Sequence, residues 1–244
     1  MFQHMIMQGR HLHTHQLHIA TSTDENYFNR YFDRWHSSFT RLWSLPMHCH
    51  VVDPSPATLT KLSVLAVSHT WSTTNHINWP SHVQAMRQVD GGYQGRTDQH
   101  IRDHARNTLC QSMRFHEMSG NFHPGSSVVI TDIDAYAQHQ PSPEQWRQLL
   151  DRSAFSHHKG RLMATLCHFH GGDHESVARL RRQLEQQGLA HSDQAALKSA
   201  FGSIPKTDLD QRWIRHWDIK SNTDMDLHRQ CLVFHAKGTR GKFF

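Results

Sequence analysis

Asp132 and Asp134 stand one residue apart behind the apolar, β-branched run Val128-Val129-Ile130. His123-Pro124-Gly125 bounds that run upstream, so the stretch reads as a short buried strand that presents two acids at its carboxyl end. In open α/β sheets ligands bind at that end. Side chains at i and i+2 of extended backbone share a face, so the two carboxylates can converge on one cation. Oxygen ligands suit a hard ion, Mg²⁺ or Mn²⁺, which in turn holds phosphate oxygens. For this segment alone, a strand followed by an acid-rich turn is the plainer alternative.

The surrounding pattern supplies the elements that would position such a pair. Leu17–Thr21 alternates apolar and polar residues as a first strand. Ser22-Thr23-Asp24-Glu25 carries helix-start chemistry, and Tyr27, Phe28, Tyr31, Phe32, Trp35 and Phe39 follow at helical spacing, predicting an amphipathic helix over 25–41. Met47–Asp53 is a second strand, closed by Pro54 and Pro56. Strand, helix and strand in this order form a βαβ unit, which implies a parallel sheet. A short helix over 57–62, a strand over Leu62–Val67, a loop over Thr70–Trp79 and a turn at Asp90–Tyr93 follow. From Asp98 to Met118 the pattern is helical, with Ile101, Ala105, Leu109 and Met113 inward and Arg102, Arg106 and Arg114 near one side. That basic side is either a solvated face or a phosphate or sugar contact. Later come a helix from Pro143 to Leu150, a strand over Arg161–Phe169, a helix over His174–Gln187 ended by Gly188, a helix over Ala195–Phe201 and a last strand, Cys231–His235. Trp213 and Trp217 read as core.

Composition narrows the function classes. The chain of 244 residues has 36% apolar and 19% charged residues and a net charge of +5. These values allow a packed core and favour anionic partners without choosing among them. Its 25 histidines are dispersed rather than gathered into a metal-sequestering tract. Cys49, Cys110, Cys167 and Cys231 form no CxxC pair, so reduced thiols in a cytoplasmic protein are expected. No run of about 18 apolar residues spans a membrane. Residues 1–16 read as a flexible lead-in and 17–244 as one domain.

Three elements then fall in a fixed order: the strand ending in Asp132-Ile133-Asp134, Asp193-Gln194 at a helix start, and an apolar strand into His235-Ala236-Lys237-Gly238 with Lys242 beyond. This order resembles the nucleotide-sugar-dependent glycosyltransferases of the GT-A fold, in particular the retaining, glycogenin-like and galactosyltransferase-like group. The resemblance covers about residues 17–242. It implies an α/β single domain with a mixed, mainly parallel sheet flanked by helices. It also implies hexose transfer from a nucleoside diphosphate sugar to an acceptor, with retention and with Mn²⁺ or Mg²⁺ as cofactor. Asp132 and Asp134 resemble that group's DxD pair, and His235 its third metal ligand. Lys242 resembles the lysine that meets the diphosphate, and Asp193 and Gln194 the pair near donor sugar and acceptor. Arg114 resembles a basic residue that meets the donor. Ala20 and Thr21 resemble the loop under the nucleobase, with Asn26 and Gly238 also on the donor side. The stretch after Gly238 is one residue longer than the usual pattern, which leaves Lys237 and Arg240 as rivals of Lys242, and Asp193-Gln194 also reads as a plain helix cap.

Three other functions remain in view. A sugar nucleotidyltransferase would carry a glycine-rich, basic signature near the N-terminus, which residues 17–40 lack. A degenerate, non-catalytic nucleotide-sugar binder or a nucleic-acid binder is a second, and no basic-aromatic cluster favours nucleic acid. A metal-dependent nuclease would need more than His157-His158-Lys159-Gly160.

Overall fold

The computed structural model of the protein describes residues 8–10, 17–65, 67–89, 93–120, 126–158, 161–187, 193–218 and 229–237. Its elements in chain order are β1 (Gln8–Arg10), β2 (Leu17–Asp24), α1 (Glu25–Leu42), β3 (Met47–Val52), α2 (Pro56–Val64), β4 (Ser68–Ser72), α3 (Trp79–Val89), α4 (Asp98–Gly120) and β5 (Ser127–Thr131). They continue with β6 (Ala135–Ala137), α5 (Pro143–Leu150), β7 (Ala154–His158), β8 (Arg161–Phe169), α6 (His174–Gln187), α7 (Asp193–Phe201), β9 (Thr207–Leu209), β10 (Ile214–Asp218) and β11 (Val233–Lys237).

Eight strands form the main sheet in the order β1-β4-β3-β2-β5-β8-β7-β9. Its left half, β4-β3-β2-β5, is parallel, and β8 joins antiparallel to β5. A second sheet of three strands, β10-β11-β6, starts just past the end of β5. The predicted mixed, mainly parallel α/β architecture is the one observed. Neighbouring residues of the central strands enter different cores: Ile19 and Val129 pack with Phe28, Phe32, Trp35 and Phe39 of α1, while Ala20, Val128 and Ile130 pack with Phe115 of α4 and Leu197 and Phe201 of α7. Burial on both faces explains why Val128-Val129-Ile130 of β5 reads as a continuous apolar run.

The helices start where their caps dictate. Asp24 accepts from Tyr27 N (2.8 Å) to cap α1, and Ser55 accepts from Thr58 N (3.2 Å) to cap α2, with Pro56 in its first turn. Glu25 ties these two starts together by accepting from Ser55 N (2.9 Å) and Ser55 Oγ (2.8 Å). On α4, Ile101, Ala105, Leu109 and Met113 are buried, as their spacing predicts.

Several expectations need correction. Of the strand assigned to Leu62–Val67, the part Leu62–Val64 is the last turn of α2, where Leu62 is buried and Val64 is 77% exposed. The strand is the polar segment Ser68–Ser72, so the loop assigned to 70–79 begins inside β4 and ends where Trp79 opens α3. The reason is a buried polar chain. His48 Nδ1 meets Ser68 Oγ (3.0 Å), His48 Nε2 meets Thr70 Oγ1 (3.3 Å), His50 Nδ1 meets the same hydroxyl (2.8 Å), and His50 Nε2 meets Ser72 Oγ (2.9 Å). Residues i and i+2 on two parallel strands interlock here, so hydroxyls fill positions where apolar side chains were expected. Gln8–Arg10, inside the N-terminal segment, pairs antiparallel with β4, and β7 and α3 were not anticipated. The glycines assigned to the turn at 90–93 and to the end of α6 lie outside the described residues. All four cysteines are buried and none is in a disulfide. Trp213 is core, packed edge-on to Trp43.

Two outcomes test this interior. Thr70→Val keeps the shape of the side chain but leaves His48 and His50 each short of a partner. Urea unfolding is expected to show a loss of about 2 kcal/mol, with Thr70→Ser close to the parent protein. His168 is buried with Nδ1 3.2 Å from the Arg152 carbonyl, and burial pushes its imidazole down to about 4. The unfolded chain therefore binds the proton first as pH falls. The stability this residue contributes is complete above about pH 6.5 and is lost progressively toward pH 4, on the order of 3 kcal/mol. Across that window His168→Gln should flatten the plot of unfolding free energy against pH.

Candidate active site

β5 ends at Thr131, and the chain turns through Asp132-Ile133-Asp134 into β6. The turn is closed by Asp132 N donating to Thr165 O (3.2 Å) and Ala135 N donating to Asp132 O (3.1 Å), with Ile133 buried beneath it. Thr131 is fixed from three sides. Its hydroxyl accepts from Trp35 Nε1 (2.8 Å), and its carbonyl accepts from Thr21 Oγ1 (2.9 Å) and Arg114 Nη1 (3.2 Å). The pair of acids is therefore held by α1, β2, α4 and β8 together.

β11 brings the third group. It pairs antiparallel with β6 in a register that sets His235 opposite Ala135, immediately beside Asp134. His235 Nε2 lies 3.5 Å from Asp132 Oδ2 and 3.4 Å from Asp134 Oδ1. One ligand atom from each of the three residues falls within 4.8 Å of the others. Ligands bound at about 2.1 Å to one cation sit roughly 3–3.5 Å apart, so these spacings fit a shared divalent ion. The donor set, two carboxylates and one imidazole, suits Mn²⁺ or Mg²⁺.

Charge balance points the same way. Arg114 is 2% exposed and forms an ion pair with Asp132, whose side chain is 22% exposed. Burial pushes the Asp132 carboxyl up. The Arg114 guanidinium, with His235 behind it, outweighs burial and the opposing charge of Asp134, so the carboxyl is held below its usual range. Two carboxylates against one guanidinium leave one negative charge for an incoming cation to meet.

The predicted site residues divide by place. Asp132, Asp134 and His235 come together, and Arg114 lies behind Asp132. Arg114 is buried against Asp132 and Thr131, which makes it a positioning group for that acid. Ala20 and Thr21, which the resemblance likens to the loop under the nucleobase, lie inside β2, where the strand pattern of 17–21 puts them, and are fully buried. The strand continues to Asp24 because its pairing with β3 runs on through Val52. The accessible end is Asp24 to Asn26, with Asn26 exposed in the first turn of α1. Asp193 and Gln194 open α7, but their side chains lie outside the described residues, as do Gly238, Lys242 and Arg240. The roles of Thr131, Trp35 and Thr165 in holding the turn carried no signal in the sequence, because each acts through contacts with distant segments. Of the other basic residues on α4, Arg106 pairs with Asp53 (3.2 Å).

The sequence matches no known family profile and none of the curated proteins compared. Solved structures do match in shape. A galactosyltransferase, LgtC, in complex with donor and acceptor sugar analogs has a TM-score of 0.56 at 13% identity, over 91% of this chain and 87% of that one. An active-site mutant of LgtC gives 0.55 at 11%, over 92% and 88%. The glycosyltransferase GlyE of Streptococcus pneumoniae TIGR4 gives 0.54 at 12%, over 91% of this chain and 55% of that one. The chain has the GT-A-like fold of these proteins.

Arg114→Met leaves Asp132 half-buried without its countercharge. The expected cost in metal-free protein is about 3 kcal/mol by urea unfolding. Adding Mn²⁺ should recover part of it, because a bound cation replaces the lost positive charge. An equal loss with and without Mn²⁺ would mean that no ion enters the cluster.

Proposed function

We propose that the protein is a metal-dependent glycosyltransferase that moves a hexose from a nucleoside diphosphate sugar to an acceptor, with retention. The observation that carries this reading is the convergence of Asp132, Asp134 and His235 at the carboxyl end of β5, in a chain with the fold of glycosyltransferases. In this reading the three residues hold Mn²⁺ or Mg²⁺, which when bound neutralises charge on the departing diphosphate. Arg114 keeps Asp132 ionised and aimed at the cluster. The exposed start of α1, with Asn26, faces the nucleoside. Lys242 meets the diphosphate from beyond β11, and Asp193 with Gln194 borders the transferred sugar and the acceptor. These groups stabilise charge that grows toward the transition state, which is where stabilisation raises the rate.

No helix among the described residues is long and apolar enough to cross a membrane. We place the reaction in the cytoplasm, a reading supported by four buried cysteines that form no disulfide.

The test is a screen of nucleoside diphosphate sugars for thermal stabilisation, with and without Mn²⁺. A true donor at about 100 times its Kd adds roughly 2.7 kcal/mol of stability. Asp134→Ala should abolish the Mn²⁺-dependent part while leaving the circular dichroism spectrum unchanged. An unchanged donor affinity in that variant would remove the cluster from the donor site. Slow release of free sugar from the stabilising donor, seen only with Mn²⁺, would mark the protein as an enzyme rather than a binder.

A further inference from the structure

β6 is the outer strand of the three-stranded sheet. Its outward amides are already satisfied: Ala135 N donates to Asp132 O (3.1 Å) and Ala137 N donates to Ser38 Oγ (3.1 Å). Beside this closed edge, between β6 and α1, lies a cleft of about 460 Å³. Its polar lining among the described residues is Arg34, Ser37, Ser38, Arg41, Tyr136 and Gln138, none of them a carboxylate. A volume of this order is what a small ligand or headgroup occupies.

The basic character extends along the helix. Arg30, Arg34, Ser37 and Arg41 follow at spacings of four, three and four residues and are all exposed, so they share one face of α1 over about 16 Å. The nearby acid on the same helix, Asp33, is engaged elsewhere, 2.6 Å from Lys61. Arg34 is held in place: its guanidinium lies 3.6 Å over the centre of the Tyr136 ring, and Tyr136 stacks on the buried Phe234 at 5.0 Å. A planar cation fixed this way loses less conformational freedom when it grips an oxyanion.

The cleft is separate from the carboxylate cluster. In antiparallel register Tyr136 faces Phe234 and Ala135 faces His235. Alternation along each strand sends Tyr136 and Phe234 to one face of the small sheet and His235 to the other. The cluster therefore attracts cations on one face, and the cleft presents guanidinium groups on the opposite one.

We infer that this cleft is a binding site for a phosphate group, held by Arg34 and Arg41 with the hydroxyl of Ser37 beside them. A phosphate accepts several charge-assisted hydrogen bonds at once and matches the guanidinium fork. Two sources share this chemistry, a soluble phosphate ester and a phospholipid headgroup. The site is independent of the glycosyltransferase reading, since none of its residues belongs to the metal cluster.

The experiment uses the full chain in EDTA at low salt, with glycerol 1-phosphate as one probe and vesicles of phosphatidylcholine with or without phosphatidic acid as the other. Parent protein is compared with Arg34→Gln/Arg41→Gln and with Arg179→Gln/Lys198→Gln, which removes the same charge from exposed positions on α6 and α7. Binding is expected in the parent and in the α6/α7 variant. It should be weaker by about tenfold or more in the α1 variant, whose circular dichroism stays unchanged. Binding of the soluble ester alone assigns the site to phosphate esters, and co-sedimentation with phosphatidic acid vesicles alone assigns it to headgroups. Absence of binding to either probe in the parent overturns the inference. So does an equal loss in the two double variants, which would reduce the effect to net charge.

Discussion

Two carboxylates, Asp132 and Asp134, share the joint where the main sheet hands over to the small one, and their mutual repulsion is the constraint that the surrounding structure answers. Like charges this close and this poorly hydrated cannot both remain ionised without compensation. Arg114 supplies it permanently from α4, and the Thr131 carbonyl shares that guanidinium. His235 supplies a ligand that needs no charge of its own. What remains is a surplus of one negative charge in a pocket of three donor atoms, which a divalent cation reverses in sign.

That arrangement depends on elements that themselves carry no chemistry. The apolar stripe of α4 places Arg114, because burial of Ile101, Ala105, Leu109 and Met113 leaves only one rotation of the helix against the sheet. The aromatic stripe of α1 places Trp35 against the Thr131 hydroxyl and Ser38 against the Ala137 amide. The short sheet β10-β11-β6 has its register set by Val233 in the core, since a slip of one residue would turn Val233 and His235 to the wrong face. Position at the site is thus set largely by packing elsewhere.

The abundance of histidine takes on meaning only in three dimensions. His48 and His50 sit on one strand at i and i+2 and are enclosed by hydroxyls from its parallel neighbour, so each imidazole has a partner at both nitrogens. Such a chain behaves as a polar core. It tolerates burial because it is satisfied, and it specifies the β3–β4 register because a slip would break its contacts at once. His235 is chemically the same residue with a different fate, decided by the acids opposite it.

Much of the frame was legible in the sequence. The periodicities of 25–41 and 98–118, the strand patterns at 47–53 and 128–130 and the helix-start chemistry at Asp24 each determine local structure through contacts a few residues long. Asp132 and Asp134 converge for the same reason, being neighbours on one extended stretch. Local pattern failed where a distant partner set the outcome. Ser68–Ser72 is a strand only because His48 and His50 offer its hydroxyls partners, and β2 runs on past Thr21 to Asp24 only because its pairing with β3 continues. The place of Arg114, turned inward to Asp132, the meeting of His235 with the two acids and the cleft between α1 and β6 belong to tertiary structure alone. Each joins side chains from separate segments, and the free energy that brings them together comes from burial of the cores between them.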